Sequence, residues 1–321
     1  MPHWIGNYQG AGLVTSETVK EGVLMVEELI LVTGATGNIG RVVVDQLLAA
    51  GLRVRAAGRT VESVRGMFGQ RVEAVAMDFT DEATWPGAFA GVKRMFLLRP
   101  PQLGKPKKQI VPALEYARAQ GVEQVVFLSL QGAEKNKVVP HASIEAWLRT
   151  SGVDWTFVRA SFFHQNLSTT HLSDIRDRDE LLIPAGRGAT AFVDGEDVGA
   201  VAAAELLNPA GHRNTAWTVT GHEALTYEQI ARILTRELGR PIRYARPGIL
   251  RYLRHARRTL GMPWGMVWVT AAIYTTARFG LADALTDTVH EVLGRDPISF
   301  AEFAHREREI WTLPAPTKEN P

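Results

Sequence analysis

The stretch from Glu28 to Gly51 constrains this chain more than any other. Leu29-Ile30-Leu31-Val32 is an unbroken apolar run, the pattern of a parallel strand covered on both faces. Thr33 ends it, and Gly34-Ala35-Thr36-Gly37-Asn38-Ile39-Gly40 follows. Val43, Leu47 and Leu48 then recur at helical spacing, and Gly51 is placed to close that helix. Val54 to Ala57 reads as the next strand. Three glycines at this spacing between a strand and a helix have separate physical jobs. Gly34 allows the tight turn, Gly37 lets backbone N–H groups approach a pyrophosphate, and Gly40 lets the helix pack closely. Spacing alone is weak evidence, but the strand, helix and second strand supply the context that a dinucleotide site requires. Thr36, Asn38 and Ile39 lie in the same loop and join the expected cofactor contacts.

The alternation continues with strands at Val72 to Met77, Arg94 to Leu98, Val125 to Leu130 and Trp155 to Val158. Helical patterns separate them at Glu82 to Ala90, Gln109 to Gln120 and Ser143 to Ser151. This predicts an α/β fold: a Rossmann-type doubly wound parallel sheet, with ligands at the carboxyl ends of the strands. After Arg159 the pattern loosens. Helices are expected over Asp197 to Leu207, Thr226 to Leu238, Leu250 to Leu260, Pro263 to Ala277 and Phe300 to Trp311, with a strand at Ala216 to Thr220. The organisation read from this is a disordered leader over 1–27, a dinucleotide-binding domain over 28–160 and a smaller, mostly helical substrate cap over 161–313. Residues 190–221 are expected to contribute back to the sheet, and 314–321 to form a frayed tail. Met25 stands where the fold is expected to begin.

Composition works by exclusion. The 321 residues contain no cysteine, which removes disulfides, thiolate zinc sites and thiol nucleophiles. Lys+Arg number 36 against 34 Asp+Glu, so no overall basic excess points to nucleic acid. The longest apolar run, Trp264 to Ala277, falls short of the about twenty residues a helical span needs. The N-terminus lacks a secretory pattern, and a cytoplasmic location is expected. No histidine and carboxylate spacing suggests a metal site.

The choice of dinucleotide turns on the end of the second strand. A ribose 2′-hydroxyl is usually held by Asp or Glu about twenty residues after the glycines. Here Gly58-Arg59-Thr60 stands at that place, after Arg53 and Arg55. Arginine there suits a 2′-phosphate through paired N–H donors, which favours NADPH over NADH.

Thr33 to Gly40, Met77-Asp78-Phe79-Thr80-Asp81 and Arg159-Ala160-Ser161-Phe162-Phe163-His164-Gln165-Asn166-Leu167 together resemble the atypical short-chain dehydrogenase/reductases. More narrowly, the chain resembles the NmrA-like NAD(P)-binding group, which includes quinone and triphenylmethane-dye reductases. Phe192-Val193-Asp194, Thr220-Gly221 and Val292-Leu293-Gly294-Arg295 fit the same pattern. The resemblance implies that Asp78 and Phe79 lie near the adenine ring, and that Leu98, Arg99 and Pro100 lie near the middle of the cofactor. Ser129, near the end of the fifth strand, joins those contacts.

One departure matters more than the match. Better-known members of the superfamily use a tyrosine four residues before a lysine on the helix after the fifth strand. Counting back from Arg159 puts Lys137 at the first position and His141 at the second, and a lysine used by a related plant group falls on Ser143. Without a tyrosine–lysine pair, alcohol oxidation loses its positioned acid or base. Hydride transfer to a quinone or a cationic dye needs no strong acid. His141 is then the expected partner of the nicotinamide ribose, Lys137 or Arg99 the cation that stabilises developing negative charge, and His164 a second acid or orienter. Phe162, Phe163 and Asn166 are expected to line an apolar pocket.

Arg236, Arg240, Arg243, Arg246, Arg251, Arg254, Arg257 and Arg258 crowd one region, and Trp264 and Trp268 follow. A membrane or partner surface, nucleic-acid binding, and a solvated face beside helices that cover the pocket are all open readings. The last is favoured, which puts Trp264 and Trp268 in the substrate pocket. The expected function is an NADPH-dependent reductase of a small apolar acceptor, as monomer or homodimer. The alternative is a non-catalytic NADP(H)-sensing regulator.

Overall fold

The computed structural model describes residues 28–312. The leader over 1–27, the start at Met25 and the tail over 314–321 lie outside the described residues.

The chain runs β1 (Leu29–Val32), α1 (Asn38–Ala49), β2 (Arg53–Gly58), α2 (Val61–Phe68), β3 (Glu73–Ala76), α3 (Trp85–Phe89), β4 (Val92–Leu98), α4 (Pro106–Gln109), α5 (Val111–Ala119), β5 (Gln124–Leu130), α6 (Pro140–Thr150) and β6 (Asp154–Ala160). It continues through β7 (Phe162–Phe163), α7 (Leu172–Arg178), β8 (Glu180–Leu181), β9 (Ala189–Val193), α8 (Gly195–Leu207), β10 (Thr215–Val219), β11 (Ala224–Thr226), α9 (Tyr227–Leu238) and β12 (Arg243–Tyr244). Four helices close it: α10 (Ile249–Arg258), α11 (Trp264–Arg278), α12 (Thr288–Leu293) and α13 (Phe300–Thr312).

Seven strands form one parallel sheet in the order β3-β2-β1-β4-β5-β6-β10. This is the doubly wound arrangement read from the sequence. The chain reverses direction across the sheet between β1 and β4, and open α/β sheets bind ligands outside the carboxyl ends of such a pair. The unbroken apolar run of β1 has its reason in the two layers. Ile30 and Val32 face α1, α2 and α8, while Leu29 and Leu31 face α3, α5 and α6. Helices α1 and α8 pack so closely that a Cβ on Gly199 would stand 2.7 Å from Val42. A separate apolar cluster holds α7, α9, α10, α11 and α13 together.

Past Arg159 the structure is richer in strand than the sequence predicts. Of residues 190–221, β10 joins the large sheet beside β6, while β9 pairs with β7 and β11 in a small three-stranded sheet. Helix α2 also escaped the sequence reading. Thr60 caps it by accepting from the Ser63 N–H at 3.2 Å. In α9, Thr226 is the cap, and its reciprocal partner is Gln229 in a full capping box.

Candidate functional site

The site is built on the junction of β1 and α1. Gly34 turns the chain at φ +63°, and its carbonyl accepts from the Gly37 N–H at 3.0 Å. Thr33 locks this turn to the neighbouring strand. Its hydroxyl donates to the Phe96 carbonyl at 3.0 Å and accepts from the Leu98 N–H at 2.9 Å. A Cβ on Gly40 would stand 2.2 Å from the Gly34 carbonyl oxygen, so the loop's return onto the helix requires glycine there. Gly37 is the N-cap and offers no side-chain cap, and the first turn carries no acidic residue. Gly37 and Asn38 are exposed, and Thr36 is half-buried. The first N–H groups of a helix have no acceptor within it. With the helix dipole they form an anion site, and here neither a capping side chain nor a carboxylate competes for it. These residues fit the pyrophosphate of a dinucleotide. Ile39 is buried beneath them and packs toward Gly195 at the start of α8.

At the end of β2 the three arginines separate. Arg53 and Arg55 both bind Glu73 on β3, at 2.6 and 2.8 Å, and Arg55 also reaches the Ala88 and Ala90 carbonyls. They fasten the sheet edge and are not part of a phosphate site. Arg59 lies at the carboxyl edge, is exposed and has no hydrogen-bond or ion-pair partner among the described residues. Beside it, the Met77 N–H donates to the Gly58 carbonyl at 3.0 Å, which brings Asp78 to the same edge. The Thr80 hydroxyl and N–H both donate to Asp78 at 2.7 Å and hold its carboxyl below the usual value. Phe79 is buried against Ala57 and Trp85, with its ring in the core.

Across the crevice, Leu98 stands 3.2 Å from where a Gly34 Cβ would be. Arg99 is half-buried, and one of its amino groups donates to the Pro100, Pro101 and Leu103 carbonyls at 3.0 to 3.1 Å. Its Nε–H donates to His141 Nε2 at 3.4 Å. His141 is the second residue of α6 and stacks on Phe127. Burial and the Arg99 charge push its pKa down to about 4, so the ring is neutral near pH 7. The Arg99 bond assigns its proton to Nδ1, a buried donor without a partner. His141 is thus a neutral hydrogen-bond donor, not a general acid. Lys137 is exposed in the loop before α6 and has no partner among the described residues.

Ser129 points elsewhere. Its buried hydroxyl donates to Glu145 at 2.7 Å, and Glu145 also accepts two bonds from Arg159 and one from Arg149. Burial raises the Glu145 carboxyl, but the bonds from Arg159, Ser129 and Arg149 outweigh it and leave the pKa below the usual value. Ser129 is therefore engaged within the sheet–helix layer, and its hydroxyl proton is not free for a cofactor. The sequence reading missed this network. Glu145 sits between the buried Ile144 and Leu148 on α6, and a carboxylate on an apolar face was the available signal.

The segment after β6 is mostly structural. His164 is 2% exposed, packed among Phe192, Phe300 and Phe303, with Nδ1 3.7 Å from Asp194. The ring is enclosed in the core, which does not fit the expectation of a second acid. Gln165 donates to Asp194 and accepts from the Gly195 N–H, fixing the start of α8 beside Ile39. Phe162 packs against Phe192 and Tyr274, and Phe163 against the core under α1 and α8. Asn166 is half-buried with its side chain unpartnered among the described residues, so of this group its amide is the one free to bind. Trp264 and Trp268 are 53% and 59% exposed on α11 and line an open groove against α10. They do not cover a pocket at the strand ends, because the buried stripe of α11 is Val267, Ala271, Tyr274 and Ala277. Among the described residues no group of His, Asp and Glu is placed to hold a metal ion, and no helix is long and apolar enough to cross a membrane.

Comparison with known proteins agrees with this fold. An NAD(P)H azoreductase of Xenophilus azovorans is 34% identical over 285 residues, covering 86% of this chain and 96% of that protein. Among solved structures, an NADPH-dependent quinone oxidoreductase from Escherichia coli complexed with NADPH has a TM-score of 0.76 at 24% identity, covering 86% of this chain and 99% of that one. The Citrobacter sp. triphenylmethane reductase complexed with NADP(H) has a TM-score of 0.73 at 24% identity over the same shares. The NmrA-like family model matches residues 26–263. The chain belongs to the NmrA-like family.

Proposed function

We propose that the protein is an NADPH-dependent reductase that passes a hydride to a small apolar acceptor of the quinone or aromatic dye class. The observation that carries this reading is the uncapped N-terminus of α1 at the switch between β1 and β4, with Arg59 at the end of β2 unpaired among the described residues. Names borne by the relatives, azoreductase above all, support a reductase. NADPH, when bound, supplies the hydride. The Asn38 and Ile39 N–H groups at the start of α1 hold the pyrophosphate, and the Arg59 guanidinium holds the 2′-phosphate. Arg99, pinned by three loop carbonyls, keeps a fixed positive charge at the end of β4. His141 offers Nδ1–H as a donor and no acidic proton near pH 7. Lys137 is exposed and His164 is buried, so among the described residues neither of these two candidates stands as a strong acid at the strand ends. That suits an acceptor whose reduced form is neutral or whose negative charge is delocalised, stabilised by Arg99 or Lys137.

The test mixes protein, NADPH and a panel of quinones, azo compounds and cationic dyes, and follows absorbance of the reduced nicotinamide. Turnover with one class supports the reading. Tight NADPH binding without consumption across the panel overturns it in favour of a regulator that senses NADP(H).

A further inference from the structure

Ten of the thirteen large hydrophobic side chains exposed among the described residues lie between Ile249 and Leu285. They gather on α10, α11 and the segment that follows: Leu250 is 79% exposed, Phe279 71% and Leu281 75%. Helix α11 explains the concentration. Its inner stripe is buried, yet its outer side presents Trp264, Trp268, Val269 and Ile273 in place of charge. A helix with large apolar side chains on its outer as well as its inner side suits a core or a lipid surface, and monomers rarely expose an apolar patch of this kind. With 15 residues, α11 is too short to span a bilayer but suits lying in its surface plane.

On α10 and α11 the charge has one sign, and the nearest acidic residue that follows is the exposed Asp283, between Leu281 and Leu285. From Leu238 to Ala282 the chain has eight arginines and no Asp or Glu, although its net charge is only +2. On α10, Arg251, Arg254 and Arg258 have no hydrogen-bond or ion-pair partner among the described residues, and the Arg257 guanidinium lies 6.0 Å over the Trp264 ring. An open groove of about 320 Å³ runs between the helices, with Leu250, Leu253, Trp264 and Trp268 beside Arg254 and Arg258. Arginines with tryptophans at their edge match a surface whose outer layer is anionic and whose interior is hydrocarbon. A second copy of the same face would bring arginine against arginine.

We propose that the α10–α11 face docks on an anionic phospholipid bilayer, with the apolar side of α11 in the acyl boundary and the α10 arginines on lipid phosphates. The patch also leads to the candidate site. Beyond α11, the Ala282 carbonyl accepts from the Ala191 N–H at 2.7 Å, Gln131 donates to the Ala284 carbonyl at 3.4 Å, and the Thr286 N–H donates to Thr220 at 3.0 Å. Exposed Leu281 and Leu285 therefore continue the apolar surface to the carboxyl edge of β5 and β10. Delivery of a bilayer-dissolved acceptor along this path rests on the reductase reading; the docking does not.

The experiment sediments the full chain with vesicles of phosphatidylcholine alone, and with vesicles containing about one-third phosphatidylglycerol. Binding to the anionic vesicles only is expected, weakening in high salt. Arg254→Ala/Arg258→Ala should reduce the partition coefficient roughly 30-fold, about fivefold per arginine, and Trp264→Ser/Trp268→Ser by about tenfold or more. Both pairs are surface changes, and unchanged thermal unfolding and NADPH binding verify that each variant is intact. No binding, equal binding to neutral vesicles, or binding unchanged in both variants overturns the proposal. So does sedimentation equilibrium showing a dimer that the same substitutions dissociate, which would make a second copy the occupant.

Discussion

Replacing Gly40 by alanine puts a Cβ 2.2 Å from the Gly34 oxygen, 2.8 Å from its carbonyl carbon and 2.9 Å from the Ala35 Cα. Side-chain Cβ atoms do not come within 3.0 Å of such neighbours, so loop or helix must yield by about 0.8 Å. Neither is free to do so. The Gly34 carbonyl is held by the Gly37 N–H, and α1 is locked to α8 at the Gly199–Val42 approach. Overpacking of this kind costs about 1–3 kcal/mol, and here both sides are backbone, which places it at or above the upper end. Alanine recovers up to about 1 kcal/mol of helix propensity. The net loss is about 2 kcal/mol, or roughly 4–8 °C in Tm. Gly37 is the contrasting position. Its Cβ would meet only the Gly34 oxygen, at 3.3 Å, with the backbone at φ −85°. Gly37→Ala should stay within about 0.5 kcal/mol of the parent in stability yet raise the Kd for NADPH about tenfold or more, because the methyl stands where the pyrophosphate must approach. Thermal unfolding without cofactor and fluorescence titration with NADPH read the two quantities separately. A Gly40→Ala protein with unchanged Tm, or a Gly37→Ala protein that binds NADPH like the parent, would refute the division of labour between the two glycines.

Arg59→Ala should weaken NADPH binding about tenfold and leave NADH within about twofold, since the lost contact is to the 2′-phosphate alone; equal loss for both cofactors in calorimetric titrations would remove Arg59 from that role. Asp194 is held down to about 2 although burial pushes it up, by its contacts with His164, the Glu196 N–H, Gln165 and Arg306. The folded pKa is below the unfolded one, so this carboxylate contributes about 2 kcal/mol above pH 4 that disappears as pH falls toward 2. Asp194→Asn should therefore unfold more easily in urea at pH 7, with its deficit shrinking below pH 4; a deficit constant with pH would contradict the account. His141, with its pKa lowered to about 4, should titrate there by nitrogen-detected NMR and show the proton on Nδ1 at pH 7. Because the folded ring resists the proton that the unfolded one takes up near 6.5, it makes stability fall as pH drops from about 6.5 to about 4. A His141 midpoint near 6.5 would return it to the list of possible acids.

The sequence alone determined the sheet. Every strand of the seven-stranded layer was legible; a central parallel strand covered on both faces must be apolar throughout, as β1 shows at Ile30 and Leu31 alike, while the β2–β3 edge tolerates Arg53, Arg55 and Glu73. The glycine loop was legible for a related reason: tight turn, close approach and helix start are local demands that particular residues meet within seven positions. Polar side chains were harder, since their meaning lies in what they touch. Arg53, Arg55 and Arg59 look alike in sequence, and Glu73, on a strand eighteen or more residues away, claims the first two and leaves the third. Ser129 and His164 stand at the positions a ligand-binding residue would occupy, yet Glu145 takes the one and the Phe192–Phe300–Phe303 core encloses the other. Trp264 and Trp268 were misread because apolar spacing marks a helix without saying which of two apolar faces turns inward. Val267, Ala271, Tyr274 and Ala277 won the interior by fitting the α7, α9 and α10 surfaces, and only packing in three dimensions could make that choice.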